Sequence, residues 1–548
     1  MAISYAAIPS SSSSTHLPDD DTIGDSESLL QKLNETEDSS ILHEGEQPTT
    51  LDDELFASAP SQKRVLGLGS SVFLIFNRII GTGVFATPSS ILASSGSVGL
   101  ALLLWVIGAI IASAGLAVYI EWGTGLPRSG GEKNYLEYVY SRPKFLVTCM
   151  YASYACLLGW AAGNSVVFGE YILHAADVEV TRWNQRGIAL VCVTFAWLVH
   201  TVTLNWGLRL QNILGTFKLA VLVLIALSGF AALAGHVRLP EQDKPHNFQR
   251  PFEGTTSNVN GLVTGLYNVI WSFIGYSNAN YAMGEMKNPI KTIKRAGPIA
   301  MASVTVLYLL INIAYFAAVP KTEILTSGRI IAALYFRNMF GPSAEKVLSI
   351  VVALSALGNV MSVIFSHGRV NQELAREGVI PFSSFFASSK PFGSPFNALG
   401  LHWLMCVVLI VGPKPGDAYN LVLNVVSYPL AVINAAISAG LIYVYVFRSS
   451  DWNPPFRAPL LVTVFFLLSN VFLSVAPLVP PLPGHQVYES LPYYLHVVVG
   501  LGVLALGALY WLMYWVVLPR LGHYTLERIV VVKQQDGVPM ASFVEVPT

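Results

Sequence analysis

The stretch "NRIIGTGVFATP" (Asn77–Pro88) interrupts an apolar run that extends from Val65 to Ala93. A helix that crosses lipid must bond every backbone group within itself. This one carries an arginine, a Gly-Thr-Gly triplet and a proline. A second stretch, "GLYNVIWSFIGYSNANYAMGEMKNP" (Gly265–Pro289), repeats the pattern: it starts apolar, meets Ile274-Gly275-Tyr276-Ser277-Asn278 and turns polar before the next run. Unwound backbone is tolerated at membrane depth only where protein or water satisfies it. A matched pair of glycine-interrupted spans points to a transporter site near the bilayer midplane. Glycine also serves close helix packing, but packing alone does not call for two matched interruptions five spans apart.

The rest of the chain fits this setting. Of its 548 residues, 53% are hydrophobic and 12% charged, against about 25% charged in ordinary soluble domains. Such a chain has too little polar surface to cover itself in water. Apolar runs of bilayer length occur at 66–92, 98–121, 145–174, 186–204, 208–235, 259–284, 297–319, 343–367, 396–412, 418–447, 458–479 and 493–518. The expected fold is an all-α polytopic membrane protein with twelve transmembrane helices, the first and sixth of them broken. Spans 1–5 and 6–10 then read as two repeats. Because five is odd, the second is inverted in the membrane.

Charge divides the chain. Residues 1–60 hold 13 Asp/Glu and one Lys, whereas the remainder holds 31 Lys/Arg and 20 Asp/Glu. Residues 1–62 are expected to be a disordered acidic tail, 63–520 the transporter domain and 521–548 a C-terminal tail. No N-terminal signal peptide is expected, since the first apolar run begins near residue 65. With a cytoplasmic N-terminus, 20 of the 32 Lys/Arg fall on the cytoplasmic side and 10 outside, leaving Arg78 and Lys218 within spans. This bias predicts cytoplasmic termini at both ends. No cofactor or metal site is expected. The four cysteines lie in apolar spans without ligand spacing, and the histidines are scattered, with His367 the one to test for proton coupling.

A break in a helix leaves bare N–H groups on one side and bare C=O groups on the other. The first attract anions and the second cations, so one break suits a zwitterion such as an amino acid. Its carboxylate would meet the N–H groups of Thr82, Gly83 and Val84 and the Thr82 hydroxyl. Its ammonium would meet carbonyls of Ile79 and Ile80 and of the Trp271, Ser272, Phe273 and Ile274 run. Gly81, Gly83 and Gly275 allow close approach.

At these residues the chain resembles the amino acid–polyamine–organocation superfamily, in particular its L-type amino acid transporter branch and the methionine permeases of fungi. The matching pieces are "IIGTGVF" (79–85), "EWGTGLPRSGGEKNYLEYVY" (121–140), "GEMKNP" (284–289), "GRVNQELAREGVIP" (368–381) and "NPPFRAP" (453–459). The resemblance implies a LeuT-type fold of 5+5 inverted repeats plus two further helices. It implies alternating access and plasma-membrane import of a neutral L-amino acid, foremost L-methionine and after it cysteine, with a proton. Binding positions carry over to Ile79, Gly81, Thr82 and Gly83 and to Trp271, at the aromatic gate, and Ile274. Where the L-type branch often has Gly-Gly, this chain has Ile274-Gly275, a narrower spot that favours a slim, unbranched side chain. "SYPLA" (427–431) lacks the Asn-Trp pair of some L-type members.

Two charges lie inside spans, where each costs about 2.5–3.5 kcal/mol on insertion scales. In sodium-coupled relatives of this fold a cation bridges spans 1 and 8. Lys218 is expected to take its place, touching carbonyls of the span-1 break and span 8 near Ser362 and Ser366; the other reading is a snorkelling lysine. Arg78 is expected to pair with Glu121 or Glu285, either as an inner-gate bridge that breaks on opening or as a permanent structural pair.

Two other readings compete. A membrane enzyme would need converging nucleophile, base or metal ligands, and the sequence carries no H-E-x-x-H, strand–helix G-x-S-x-G or phosphate loop. A non-transporting amino acid sensor, or a broader neutral amino acid exchanger, would keep the breaks and lose ion coupling. The acidic tail, with Lys32 among its acids, is expected to meet a ubiquitin ligase or arrestin adaptor by resemblance, or else merely to solubilise.

Overall fold

The computed structural model describes residues 42–43, 64, 66–240, 243–257, 259–327, 330–412, 418–480, 488, 491–532 and 539–547. Apart from Leu42–His43, the acidic tail and its Lys32 lie outside these residues. In chain order the elements begin with β1 (Leu42–His43), then α1 (Leu68–Ile79), α2 (Gly83–Ala86), α3 (Pro88–Ser95), α4 (Val98–Gly125), α5 (Glu132–Val139), α6 (Leu146–Leu157), α7 (Ala162–Ala175), α8 (Arg182–Val202) and α9 (Leu204–Leu233). There follow α10 (Val259–Phe273), a tight 3-10 segment (Asn278–Glu285), α11 (Pro289–Ala318), α12 (Lys321–Thr326), α13 (Ile331–Phe340), α14 (Pro342–Arg376) and α15 (Ser383–Ala387). The chain closes with α16 (Phe396–Val411), α17 (Ala418–Phe447), α18 (Leu460–Val475), α19 (Leu495–Trp511), α20 (Leu518–Gly522), β2 (Tyr524–Val532) and β3 (Pro539–Pro547).

Ten helical stretches among the described residues are long and apolar enough to cross a membrane. Twelve were expected. The difference lies in two places: α16 has only 16 residues, and α10 stops after 15 at Phe273. Both are shorter than the roughly 20 residues a hydrocarbon core asks for.

Helix starts follow local chemistry. Ser97 caps α4 by accepting the Leu100 N–H at 3.4 Å, and Thr181 with Asn184 forms a capping box at α8. Proline opens α3, α11 and α14, where its missing N–H costs little. The helices touch through small residues, as apolar spans in lipid must when no water drives them together. Gly229 of α9 lies against Ala314 of α11, where an added Cβ would come within 2.5 Å of the alanine methyl. The outward face of α18 is apolar, with Leu461 and Leu468 exposed.

Residues 521–548, expected as a tail, form structure where described. β2 and β3 pair antiparallel from Tyr524↔Pro547 to Val532↔Pro539, and β1 adds to β2 through Leu42↔Val530. Phe543 of this hairpin sets its ring 5.3 Å from Phe145 and 5.4 Å from Trp515.

Candidate functional site

The first helix stops at Ile79, Ile80 (φ −82, ψ 89) turns the chain, and helix resumes at Gly83. Carbonyls at and just before the break are bonded by side chains from three neighbouring helices. From α14, Asn359 Nδ2 donates to Asn77 O (3.1 Å) and Arg78 O (2.5 Å), Ser355 Oγ to Gly81 O (3.1 Å) and Ser362 Oγ to Leu74 O (3.0 Å). From α11, Tyr308 donates to Ile79 O at 3.2 Å and lies 3.1 Å from Ser272 O in α10. From α9, the Lys218 ammonium donates to Ile80 O. On the N–H side, Asn164 Oδ1 accepts from Thr82 N (3.2 Å) and Thr82 Oγ1 (2.9 Å), while Asn164 Nδ2 donates to Asn359 Oδ1 at 2.9 Å. The two asparagines thus run as one amide chain from α7 to α14 across the break. All these groups are buried, where a lost partner costs about 1–3 kcal/mol.

The second interruption follows α10. Gly275 has φ +124, a conformation side chains rarely adopt, and a Cβ there would stand 2.4 Å from Arg78 Cγ. Chain reversal at this point therefore requires glycine. Asn278 N donates back to Gly275 O at 3.0 Å, and Asn278 Nδ2 reaches Ser362 Oγ at 3.3 Å.

Between the two interruptions lies a cavity bounded by Arg78, Ile79, Gly81, Gly83, Trp160, Asn164, Trp271, Ile274, Asn359, Val422 and Val426. Its floor is polar backbone and amide, and its walls are aromatic and aliphatic. That combination suits a ligand with a charged head and an apolar tail. A second hollow shares Arg78, Trp160 and Ile274 and continues along Gly275, Ser277, Tyr281 and Asn434.

Several expected residues meet here: Ile79, Gly81, Gly83, Trp271 and Ile274 border the main cavity, and Gly275 the second hollow. Thr82 and Ile80 stand behind them, fully buried. Phe273 turns the other way, into an aromatic cluster with Trp105 and Tyr308 at ring separations of 6.0 and 5.1 Å. Helical geometry explains this: Phe273 lies roughly 200° around α10 from Trp271.

The charged residues are arranged differently from expectation. Arg78 meets neither Glu121 nor Glu285; its guanidinium lies over Trp160, 5.6 Å from the ring centre. Glu121 is bonded by Trp452 Nε1 (2.8 Å), Ala458 N (2.6 Å) and the Tyr445 hydroxyl. Glu285 pairs with Arg369 at 2.6 Å. Lys218 does reach the break, but its neighbour on α14 is Gly358, where an added Cβ would lie 3.6 Å from Nζ. Ser362 is one turn further along, on Leu74 O, and Ser366 bonds the Ser362 carbonyl of its own helix at 3.0 Å. His367 stacks between Trp160 (4.8 Å) and His402 (5.2 Å).

Asn164, Asn359, Tyr308 and Trp160 were missed by the sequence reading. The signal existed for the two asparagines: each is a polar residue in an apolar span, which lipid penalises unless a partner is provided.

The amino acid permease family profile matches residues 66–503. Over 468 residues the chain is 52% identical to the high-affinity methionine permease of Saccharomyces cerevisiae, covering 85% of this chain and 81% of that one. It is 30% identical to the low-affinity methionine permease of the same yeast, covering 85% of each chain. To the b(0,+)-type amino acid transporter 1 of Mus musculus it is 29% identical over 426 residues, 76% of this chain and 83% of that one. These relatives are transport proteins, which answers the alternative of a membrane enzyme.

Proposed function

This chain belongs to the amino acid permease family, and from that premise we propose that it imports L-methionine together with a proton. The observation that carries the reading is the cavity between the two interruptions: backbone and amide groups at Gly81, Gly83, Asn164 and Asn359 on one side, Trp160, Trp271, Ile274 and Val426 on the other. The carboxylate meets the N–H side of the break at Gly83. The ammonium meets second lone pairs of the carbonyls, each of which can accept two bonds. The thioether lies against the tryptophans, a favourable sulfur–aromatic contact. Further support is the 52% identity to a relative named as a high-affinity methionine permease.

In this reading the fold is LeuT-type, with inverted repeats and alternating access around the cavity. The protein sits in the plasma membrane with both termini in the cytoplasm. The Lys218 ammonium replaces a bridging cation between the break and α14, and loss of its proton loosens that tie. Arg78 lines the cavity and the hollow that continues from it. The acidic tail bearing Lys32 recruits an arrestin-type ubiquitin ligase adaptor; deletion of residues 1–60 tests this and should slow turnover in excess substrate.

The deciding experiment is competition of all twenty amino acids against radiolabelled methionine uptake at two pH values. Methionine should compete best, and uptake should rise as the outside is acidified. Uptake indifferent to the pH gradient would replace symport with exchange. Saturable binding without uptake would make the protein a sensor.

A further inference from the structure

Glu132 opens α5, outside the membrane-crossing helices, yet it is 1% exposed. Its carboxylate accepts from Tyr281 (2.8 Å) and Tyr119 (3.0 Å) on one oxygen and from Tyr151 (3.2 Å) on the other. Ser277 Oγ lies 3.5 Å away. Among the described residues no cation pairs with it. The adjacent Lys133 turns away, to Glu137 at 2.6 Å and to Glu377. An ionised carboxylate so placed is costly, and neutral hydroxyls repay only part of that cost. Two of its contacts, Ser277 and Tyr281, border the hollow that continues from the cavity beside Arg78.

The donor count points the same way. Tyr119 Oη is 3.0 Å from Glu132 Oε1 and 2.7 Å from Asn434 Oδ1. A phenol has one proton and cannot donate to both. If the carboxyl carries a proton, it donates to Tyr119, which donates to Asn434, and every atom is matched. If it is ionised, Tyr119 gives its proton to Glu132, and Asn434 either leaves its Oδ1 without that donor or turns its amide away from Tyr276, to which it now donates. Asn434 borders the same hollow, so the charge state of Glu132 changes what the hollow offers.

We propose that Glu132 binds the transported proton, holding it while Tyr281 and Ser277 cover the carboxyl and releasing it to cytoplasmic water when they move aside. The inference rests on the reading of this chain as a proton symporter. The step is a plain ionisation: the carboxylic O–H breaks, the electron pair stays on Glu132 and the proton goes to water. Burial raises the Glu132 carboxyl above its ordinary range, with its own backbone N–H and the tyrosine hydroxyls opposing. Covered, it is therefore biased to the neutral acid; opened to water, it returns towards ordinary carboxylate behaviour and lets the proton go. The titratable groups facing it are Tyr119 from α4, Tyr135 of α5, Tyr151 and Tyr154 from α6, and Tyr276 and Tyr281 after α10. Beyond Tyr281 stand Arg78 of α1 and His367 of α14, while α17 contributes the neutral Asn434.

The test uses the full chain in proteoliposomes with radiolabelled methionine and an imposed acid-outside gradient. Wild type should accumulate methionine many-fold over the no-gradient level. If it takes up methionine but ignores the gradient, the symport reading falls and this proposal with it. If wild type responds, Glu132→Gln should lose concentrative uptake and its pH dependence. Methionine titration of tryptophan fluorescence verifies that the variant is folded. A Glu132→Gln protein with the wild-type pH profile and accumulation overturns the assignment and leaves the symport reading intact. Should that variant fail to fold, Tyr281→Phe serves in its place. It removes a donor to the ionised form, so the pH midpoint of uptake should move to higher pH; an unmoved midpoint overturns the proposal.

Discussion

Glu285 and Arg369 form an ion pair of 2.6 Å with side chains 4% and 3% exposed. The guanidinium also donates to the Phe365 carbonyl at 3.3 Å and stacks on the Phe365 ring at 3.7 Å. Nearby, Leu66 N donates to Glu285 O at 2.9 Å and Lys287 N to Leu66 O at 3.0 Å. The start of α1, the end of the 3-10 segment and α14 are thereby tied at one point. Breaking one side of a buried pair costs about 3–5 kcal/mol, whereas replacing both charges by apolar groups is often neutral. Arg369→Ala should lower the unfolding temperature of the purified protein clearly. The double variant Glu285→Leu/Arg369→Met should recover most of that loss. Equal loss in both would show that the charges themselves are needed.

Lys218 places its ammonium on the Ile80 carbonyl and is fully buried there. A charge-assisted bond of this kind contributes about 1.5–3 kcal/mol. Lys218→Ala should weaken methionine uptake roughly ten- to hundredfold and flatten its response to external pH. Uptake that stays pH-dependent in Lys218→Ala would remove the lysine from coupling.

Gly81 has no room for a side chain: a Cβ there would stand 2.8 Å from Asn164 Oδ1 and 2.9 Å from Asn359 Nδ2. Crowding of this kind costs about 1–3 kcal/mol, and here it falls on the amide chain that orders the break. Gly81→Ala should raise the KM for methionine about tenfold or more. Gly69→Ala, where nothing lies within 4 Å, should transport like wild type. Equal KM in the two variants would mean that the break does not bind substrate.

Ile274 borders the cavity together with Trp271. Pocket discrimination runs at about 1–3 kcal/mol per methylene. Ile274→Gly should admit branched and aromatic amino acids, seen as at least tenfold better competition by leucine or phenylalanine for methionine uptake. An unchanged competition order would place selectivity elsewhere, on Val422 and Val426 of α17.

The location of the two interruptions was legible because their backbone features are written in residue type. Gly81, Gly83 and Gly275 sit where chains in lipid cannot normally afford glycine-led unwinding, and their surroundings stay apolar enough to date them to membrane depth. The partners were not legible. Whether Glu285 meets Arg78 or Arg369 depends on which faces of α1, the 3-10 segment and α14 turn together, and both arginines are chemically suitable. The same holds for Phe273, two residues from Trp271 and on the opposite side of the helix.

From its order of residues alone this chain determined a polytopic helical membrane protein and the places where its helices are interrupted. Hydropathy, run length and glycine are local properties that lipid reads one segment at a time. Only the tertiary structure decided which side chains bond the freed carbonyls, that Asn164 and Asn359 join across the break, and that Glu132 lies among three tyrosines. Those contacts join residues as far apart as 282 positions, as between Asn77 and Asn359. They are settled by how helices rotate and pack against one another, which no single segment encodes.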